Sequence, residues 1–236
     1  MNLCGGTSRC MHNTAGETFF EQFCTSHKVR WEPIPTRASS GEKTPDYAIY
    51  PNGTKVIAEV KDIQESPTER QQREQFERVG WSTFGSGKVG DRARDIIGTA
   101  AKQLKRMAKG KCPAMIVIYN PSFLLRHHSE SHAIKAAMYG FDTVILGLAP
   151  IHMREKPRLI DRKSGSGRKM GSQFNTTISA VAVLDDDGLT IYHNKFAALP
   201  LPVEQFTGIA VRQFTIGEKQ PGEFDMWQEI GSRGKR

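Results

Sequence analysis

The chain of 236 residues has no apolar run long enough to span a bilayer. Its best candidate, VILGLAP at 144–150, is interrupted too soon. The opening MNLCGGTSRCMHN has no apolar core of the kind a secretory signal needs. Four cysteines, Cys4, Cys10, Cys24 and Cys112, match no paired zinc spacing, and Cys4 and Cys10 with His12 lack a fourth metal ligand. Cys24 lies in an apolar helical pattern and Cys112 precedes an apolar strand, so both read as reduced packing residues. HExxH and GxSxG are missing, which removes a zincin and a serine hydrolase. In GSGKVG (85–90) Val89 follows Lys88 where a phosphate loop has Ser or Thr, so that stretch reads as a flexible loop. HHSESH sets His128 and His132 four apart without an acidic ligand nearby and reads as a solvated helix start. These absences point to a soluble, intracellular (cytoplasmic) protein without a membrane partner.

What is present is basic charge. The chain is 38% hydrophobic and 25% charged, which suits one sizeable globular domain. Its net charge is +8 and its pI near 9.4. Residues 88–111 hold eight Lys/Arg against two Asp, and residues 151–170 hold seven against Glu155 and Asp161, so the rest of the chain is net negative. Such concentration suits a polyanion, most often nucleic acid, and equally a solvated basic face.

GETFFEQFCTSHK (16–28) has Phe19, Phe20, Phe23 and Cys24 at helical spacing, with Thr14 and Glu17 placed as a capping box. VRWEPIP is a strand, and YAIY and KVIAEVK are strands joined by Pro-Asn-Gly, a strong hairpin signal. Residues 62–90 read as a polar insertion with a charged helix. Residues 91–110 form a helix with Ile96, Ile97, Ala100, Leu104 and Met107 on one side and Gly110 as C-cap. PAMIVIYN reads as a strand covered on both faces, SESHAIKAAMYG as a helix and DTVILGLA as another buried strand. Residues 151–173 read as a basic loop, TISAVAVLDDDGLTIYHN as a second hairpin, and the Pro-rich C-terminal stretch as peripheral. The expected architecture is one α/β domain, a mixed sheet with helices on both sides. A tail (1–13) precedes the core (14–120). Residues 121–230 continue the same domain, and 231–236 form a basic tail.

In a strand, Glu59 and Lys61 share a face. A turn at Asn52-Gly53 brings Asp46 near Glu59. Two carboxylates held together repel unless a cation sits between them. Mg²⁺ fits, since it takes oxygen ligands and few protein carboxylates. Asp46 and Glu59 would hold it, with the Val60 carbonyl as a third ligand, and Lys61 would stand beside a scissile phosphate. A surface hairpin with Asp46 capping a turn is the plainer alternative, but KVIAEVK is otherwise apolar.

Pro45-Asp46, the thirteen-residue step to Glu59 and the run Glu59-Val60-Lys61 resemble the PD-(D/E)xK nuclease superfamily, the restriction-endonuclease-like fold. The likeness covers roughly residues 14–120, in the order helix, three-stranded meander, helix, strand. It implies a metal-dependent DNA nuclease using Mg²⁺ (or Mn²⁺), with Asp46, Glu59 and Lys61 catalytic. It implies a further metal-site glutamate on the first helix, Glu17 or one turn later Glu21, and a Gln or Lys on the later helix, Gln103 or Lys102. The basic residues then serve as backbone grips: Lys88, Arg92, Arg94, Lys102, Lys105 and Arg106 around one helix, and Arg162, Lys163, Arg168 and Lys169 on the basic loop. A homodimer would supply a second site for the second strand. A non-cleaving nucleic-acid-binding protein on the same scaffold, or a nuclease acting on RNA, remains open.

Overall fold

The structure is a computed structural model. It describes residues 13–35, 43–83, 87–108, 110–121, 123–147, 158–217 and 226–231, the side chains of 123, 142, 144, 159 and 161–164 aside. Cys4, Cys10, His12 and residues 232–236 of the basic tail lie outside them.

Helix α1 is Ala15–Ser26. The expected capping box opens it: Glu17 N–H donates to the Thr14 hydroxyl at 3.2 Å, and Thr14 N–H donates to the Glu17 carboxylate at 2.9 Å. Strands β1 (Arg30–Pro33), β2 (Tyr47–Tyr50) and β3 (Val56–Asp62) form an antiparallel meander. The β2–β3 reversal is a 3-10 turn over Pro51–Gly53. Asn52 at φ +44° and Gly53 at φ +85° take the left-handed backbone that makes Asn-Gly a turn signal. Helix α2 (Pro67–Val79) fills the insertion and helix α3 (Asp91–Ala108) follows. Strand β4 (Ala114–Tyr119) lies parallel to β3.

After helix α4 (Ser131–Tyr139) the structure departs from expectation. DTVILGLA was expected as a buried strand; among the described residues β5 (Phe141–Gly147) instead pairs only with β6 (Arg158–Ser166) in a separate two-stranded ribbon, and Leu146 is 52% exposed. Part of the expected basic loop is therefore strand β6; residues 151–157 lie outside those described. The central sheet resumes with β7 (Ala180–Asp185), parallel to β4, and its hairpin partner β8 (Gly188–His193). The C-terminal stretch is not peripheral: β9 (Val211–Ile216) and β10 (Trp227–Ile230) extend the same sheet, and Leu201, Phe206 and Ile216 are buried. The order across the eight strands is β1-β2-β3-β4-β7-β8-β9-β10.

Two cores explain the continuous apolar reading of β4 and β7. On one face Phe20, Phe23 and Cys24 of α1 meet Val56, Ala58 and Val60 of β3 and Met115 and Val117 of β4. On the other, Ile97, Ala100 and Leu104 of α3 and Ile134 of α4 meet Ile57, Ile116 and Ile118. Met107, expected on the inner side of α3, is 37% exposed. Among the described residues no helix is long and apolar enough to cross a membrane.

Candidate active site

The site grows out of one register. Tyr47 faces Ala58 and Ala48 faces Ile57, so Asp46, just before β2, falls opposite Glu59. Alternation along β3 puts Ile57, Glu59 and Lys61 toward α3, and Val56, Ala58 and Val60 toward α1. Strand β3 outruns β2 by several residues, so among the described residues Val60 has no strand partner on that side. Its N–H donates instead to Asp46 Oδ2 at 2.8 Å, and its carbonyl accepts from Lys61 Nζ at 3.1 Å. Lys61 Nζ stands 3.7 Å from Asp46 Oδ2 and against Glu59 Oε1.

Glu59 is wholly buried, and neither of its carboxylate oxygens has a hydrogen bond of normal geometry; the Lys61 ammonium beside Oε1 is its charge partner. Burial first, then the neighbouring Asp46, pushes its carboxyl up to about 7. Burial by itself would lower Lys61, but Glu59, Asp46 and Glu17 outweigh it and its pKa is raised. The Lys61 side chain is 30% exposed, so the cluster opens to solvent through it.

Glu17 borders the cluster. Burial raises its carboxyl, and the charges of Asp46, Lys61 and Asp62 all act on it. Its Oε2 is engaged by Thr14 N–H. Glu21 accepts from the Tyr47 hydroxyl at 2.7 Å and from Asn13 at 2.9 Å, so of the two helix glutamates Glu17 is the one in the field of Asp46 and Lys61. Among the described residues no three His, Cys, Asp or Glu side chains converge on a point suited to a metal ion. Asp46 and Glu59, with the Val60 carbonyl, lie together around the Lys61 ammonium. Gln103 reaches from α3 to the Thr44 carbonyl at 3.4 Å, two residues before Asp46.

Sequence reasoning gave Asp62 no role. Asp62 accepts the Gly16 N–H at 3.1 Å and the Thr14 hydroxyl at 3.2 Å, tying the N-terminus of α1 to the end of β3. A Cβ on Gly16 would collide with the Asp62 carboxylate and with Tyr119. Gly16→Ala should lower stability by about 1–3 kcal/mol through that overlap. Urea denaturation reads this directly, and an unchanged midpoint would refute it.

The basic residues divide. Lys88, Lys102, Lys105, Arg106 and Arg168 are exposed. Lys102, Lys105 and Arg106 share one patch on the last turns of α3, where positive charge also suits the helix dipole. Lys169 is half-buried, its amine beside Gly98 of α3. Arg92 is ion-paired to Glu69 at 2.7 Å. Arg94 departs from its expected surface role: it is buried, paired to Asp91, donates to the Val89 carbonyl at 2.7 Å and stacks on Phe141. Arg162 and Lys163 lie on β6, and their side chains lie outside those described.

His128, read as solvated, is buried and bonds Glu69 Oε1 at 3.0 Å. Burial would raise Glu69, but Ser66, His128 and Arg92 outweigh it and hold the carboxyl at about 2. Burial pushes His128 down. A neutral His128 beside an ionised Glu69 donates through Nε2, and this bond with Arg92 pins the insertion helix α2 to the core.

No family model, curated protein or solved structure matches this chain. The site is therefore read from its own chemistry.

Proposed function

We propose that this chain is a metal-dependent nuclease that hydrolyses DNA phosphodiester bonds internally, at a PD-(D/E)xK-like site on a restriction-endonuclease-like core. One observation carries the reading. Glu59 is a buried carboxylate with the Lys61 ammonium against one oxygen, opposite a second carboxylate, in an otherwise apolar strand. Burying such a group costs several kcal/mol unless a cation compensates it. Lys61 compensates in part, and Mg²⁺ or Mn²⁺ held by Asp46, Glu59 and the Val60 carbonyl would complete it. A bound ion there would polarise a phosphoryl oxygen and offset the charge that develops on it.

The chain's own groups do the rest. Asp46, fixed by the Val60 N–H, and Glu59, fixed by burial, keep their oxygens on one side of β3. Lys61, partly exposed and close to both, presents its ammonium to an incoming phosphate. Gln103 steadies the segment leading to Asp46. Exposed Lys88, Lys102, Lys105, Arg106 and Arg168 would position a DNA backbone without reading sequence. The reading includes an intracellular site of action. It also includes a second copy of the chain where both strands are cut, since one site cuts one strand.

The test is incubation of the purified chain with circular and linear duplex, single-stranded DNA and RNA, under Mg²⁺, Mn²⁺ or EDTA. Product that requires metal and vanishes in Asp46→Ala is the expected result. DNA binding without product under any metal would assign the chain as a non-cleaving binder. Preferential loss of RNA would reassign the substrate, and full activity in Asp46→Ala would remove the site.

A further inference from the structure

The β5–β6 ribbon stands outside the central sheet and, among the described residues, has no third strand. A two-stranded ribbon is marginal in water unless one face is covered. This one exposes apolar side chains instead: Leu146 is 52% exposed and Ile160 67%, with Ile145 at 37%. Its base is fixed. Phe141 sits under the Arg94 guanidinium, and the Lys169 and Met170 N–H groups donate to the Ala137 and Met138 carbonyls at the end of α4. The ribbon is therefore a held arm with an unpartnered surface.

Its charge says what would cover that surface. The two strands and the turn after them, 141–147 and 158–169, carry five Lys/Arg against two Asp. Arg158 is exposed, and Arg162 and Lys163 follow on β6 opposite Val144 and Thr143. Two such surfaces brought face to face would repel, which disfavours a second copy as the occupant. Strands of seven and nine residues span roughly 23–30 Å, and a paired ribbon with its side chains is about as wide as the B-DNA major groove, about 12 Å. We propose that the β5–β6 ribbon is a DNA-binding arm that lies in the major groove of duplex DNA, with Arg158 on a phosphate and Ile160 and Ile145, which share the face of Gly147, against base and sugar edges. This deepens the nuclease reading, and rests on it only for the substrate being DNA.

The experiment measures binding of the full chain to a labelled 30-base-pair duplex in EDTA, where cleavage plays no part, over a series of salt concentrations. Removing the Arg158 phosphate contact in Arg158→Ala should lower the slope of log affinity against log salt by about 1. Ile160→Ser should weaken binding several-fold and leave that slope unchanged. Wild-type affinity and slope in both variants would overturn the proposal, as would absence of duplex binding by the wild type. So would a wild-type dimer in sedimentation that Ile160→Ser dissociates while DNA binding is kept, which would make the ribbon a self-association face. Failure of the nuclease reading looks different: the ribbon variants weaken binding, yet wild type with Mg²⁺ yields no product.

Discussion

Replacing Lys61 with methionine should slow metal-dependent cleavage by about 10²–10⁴-fold while tightening the hold on Mg²⁺. The two effects have opposite signs for one reason. The Lys61 ammonium lies against Glu59 and 3.7 Å from Asp46, so it occupies the field that a divalent ion would occupy. Taking the cation away leaves two carboxylates facing each other, and a divalent ion is then the better counter-charge. A phosphate bound there would lose the ammonium beside it, so the rate should fall. A lysine that merely propped up the hairpin would lose rate and metal affinity together. The measurement is a Mg²⁺ titration of single-turnover cleavage, with wild type and Lys61→Met compared. Weaker Mg²⁺ saturation in the variant, or an unchanged rate, would remove Lys61 from the reaction.

Local chemistry was legible in the sequence, and long-range pairing was not. Thr14 and Glu17 announce α1 because a capping box lies within four residues. Asn52-Gly53 fixes the β2–β3 turn, and the turn fixes the register that sets Asp46 opposite Glu59. The juxtaposition of Asp46, Glu59 and Lys61 was therefore readable from nineteen residues of sequence. The ribbon was not. VILG in β5 is as apolar as a core strand, and nothing in its periodicity says that it pairs with a charged, Gly/Ser-rich segment with low strand propensity. β6 read as a loop for the same reason: pairing with β5 overrides a composition that favours none. Strands β9 and β10 are short and follow prolines, and only a place at the open edge beside β8 makes them strands. Glu69 and His128, 59 residues apart, each read as surface; the fold buries both and lets each satisfy the other.

Glu59→Gln should make the metal-free protein more stable than wild type at pH 8, although it removes activity. Burial and Asp46 raise the Glu59 carboxyl to about 7 in the folded chain, against an ordinary 4.5 when unfolded. A raised carboxyl favours folding while it is protonated, so its contribution is full below about pH 4.5 and is lost as pH rises through 7. The loss is on the order of 3 kcal/mol, a fall in Tm of roughly 6–12 °C for a chain of this size. Glutamine is neutral throughout and escapes the loss, although its amide N–H groups inherit a buried pocket beside the Lys61 ammonium and give part of the gain back. The same logic sets the effect of metal. A divalent ion binds the ionised form, so Mg²⁺ should restore wild-type stability most at pH 8, little at pH 5, and not at all in Glu59→Gln. Thermal melts of both proteins from pH 5 to 8, in EDTA and in Mg²⁺, separate the outcomes. A flat wild-type profile, or a glutamine variant less stable at pH 8, would mean that the Lys61 ion pair alone satisfies Glu59. The buried carboxylate would then be a structural group, and the case for a cation at the end of β3 would fall with it.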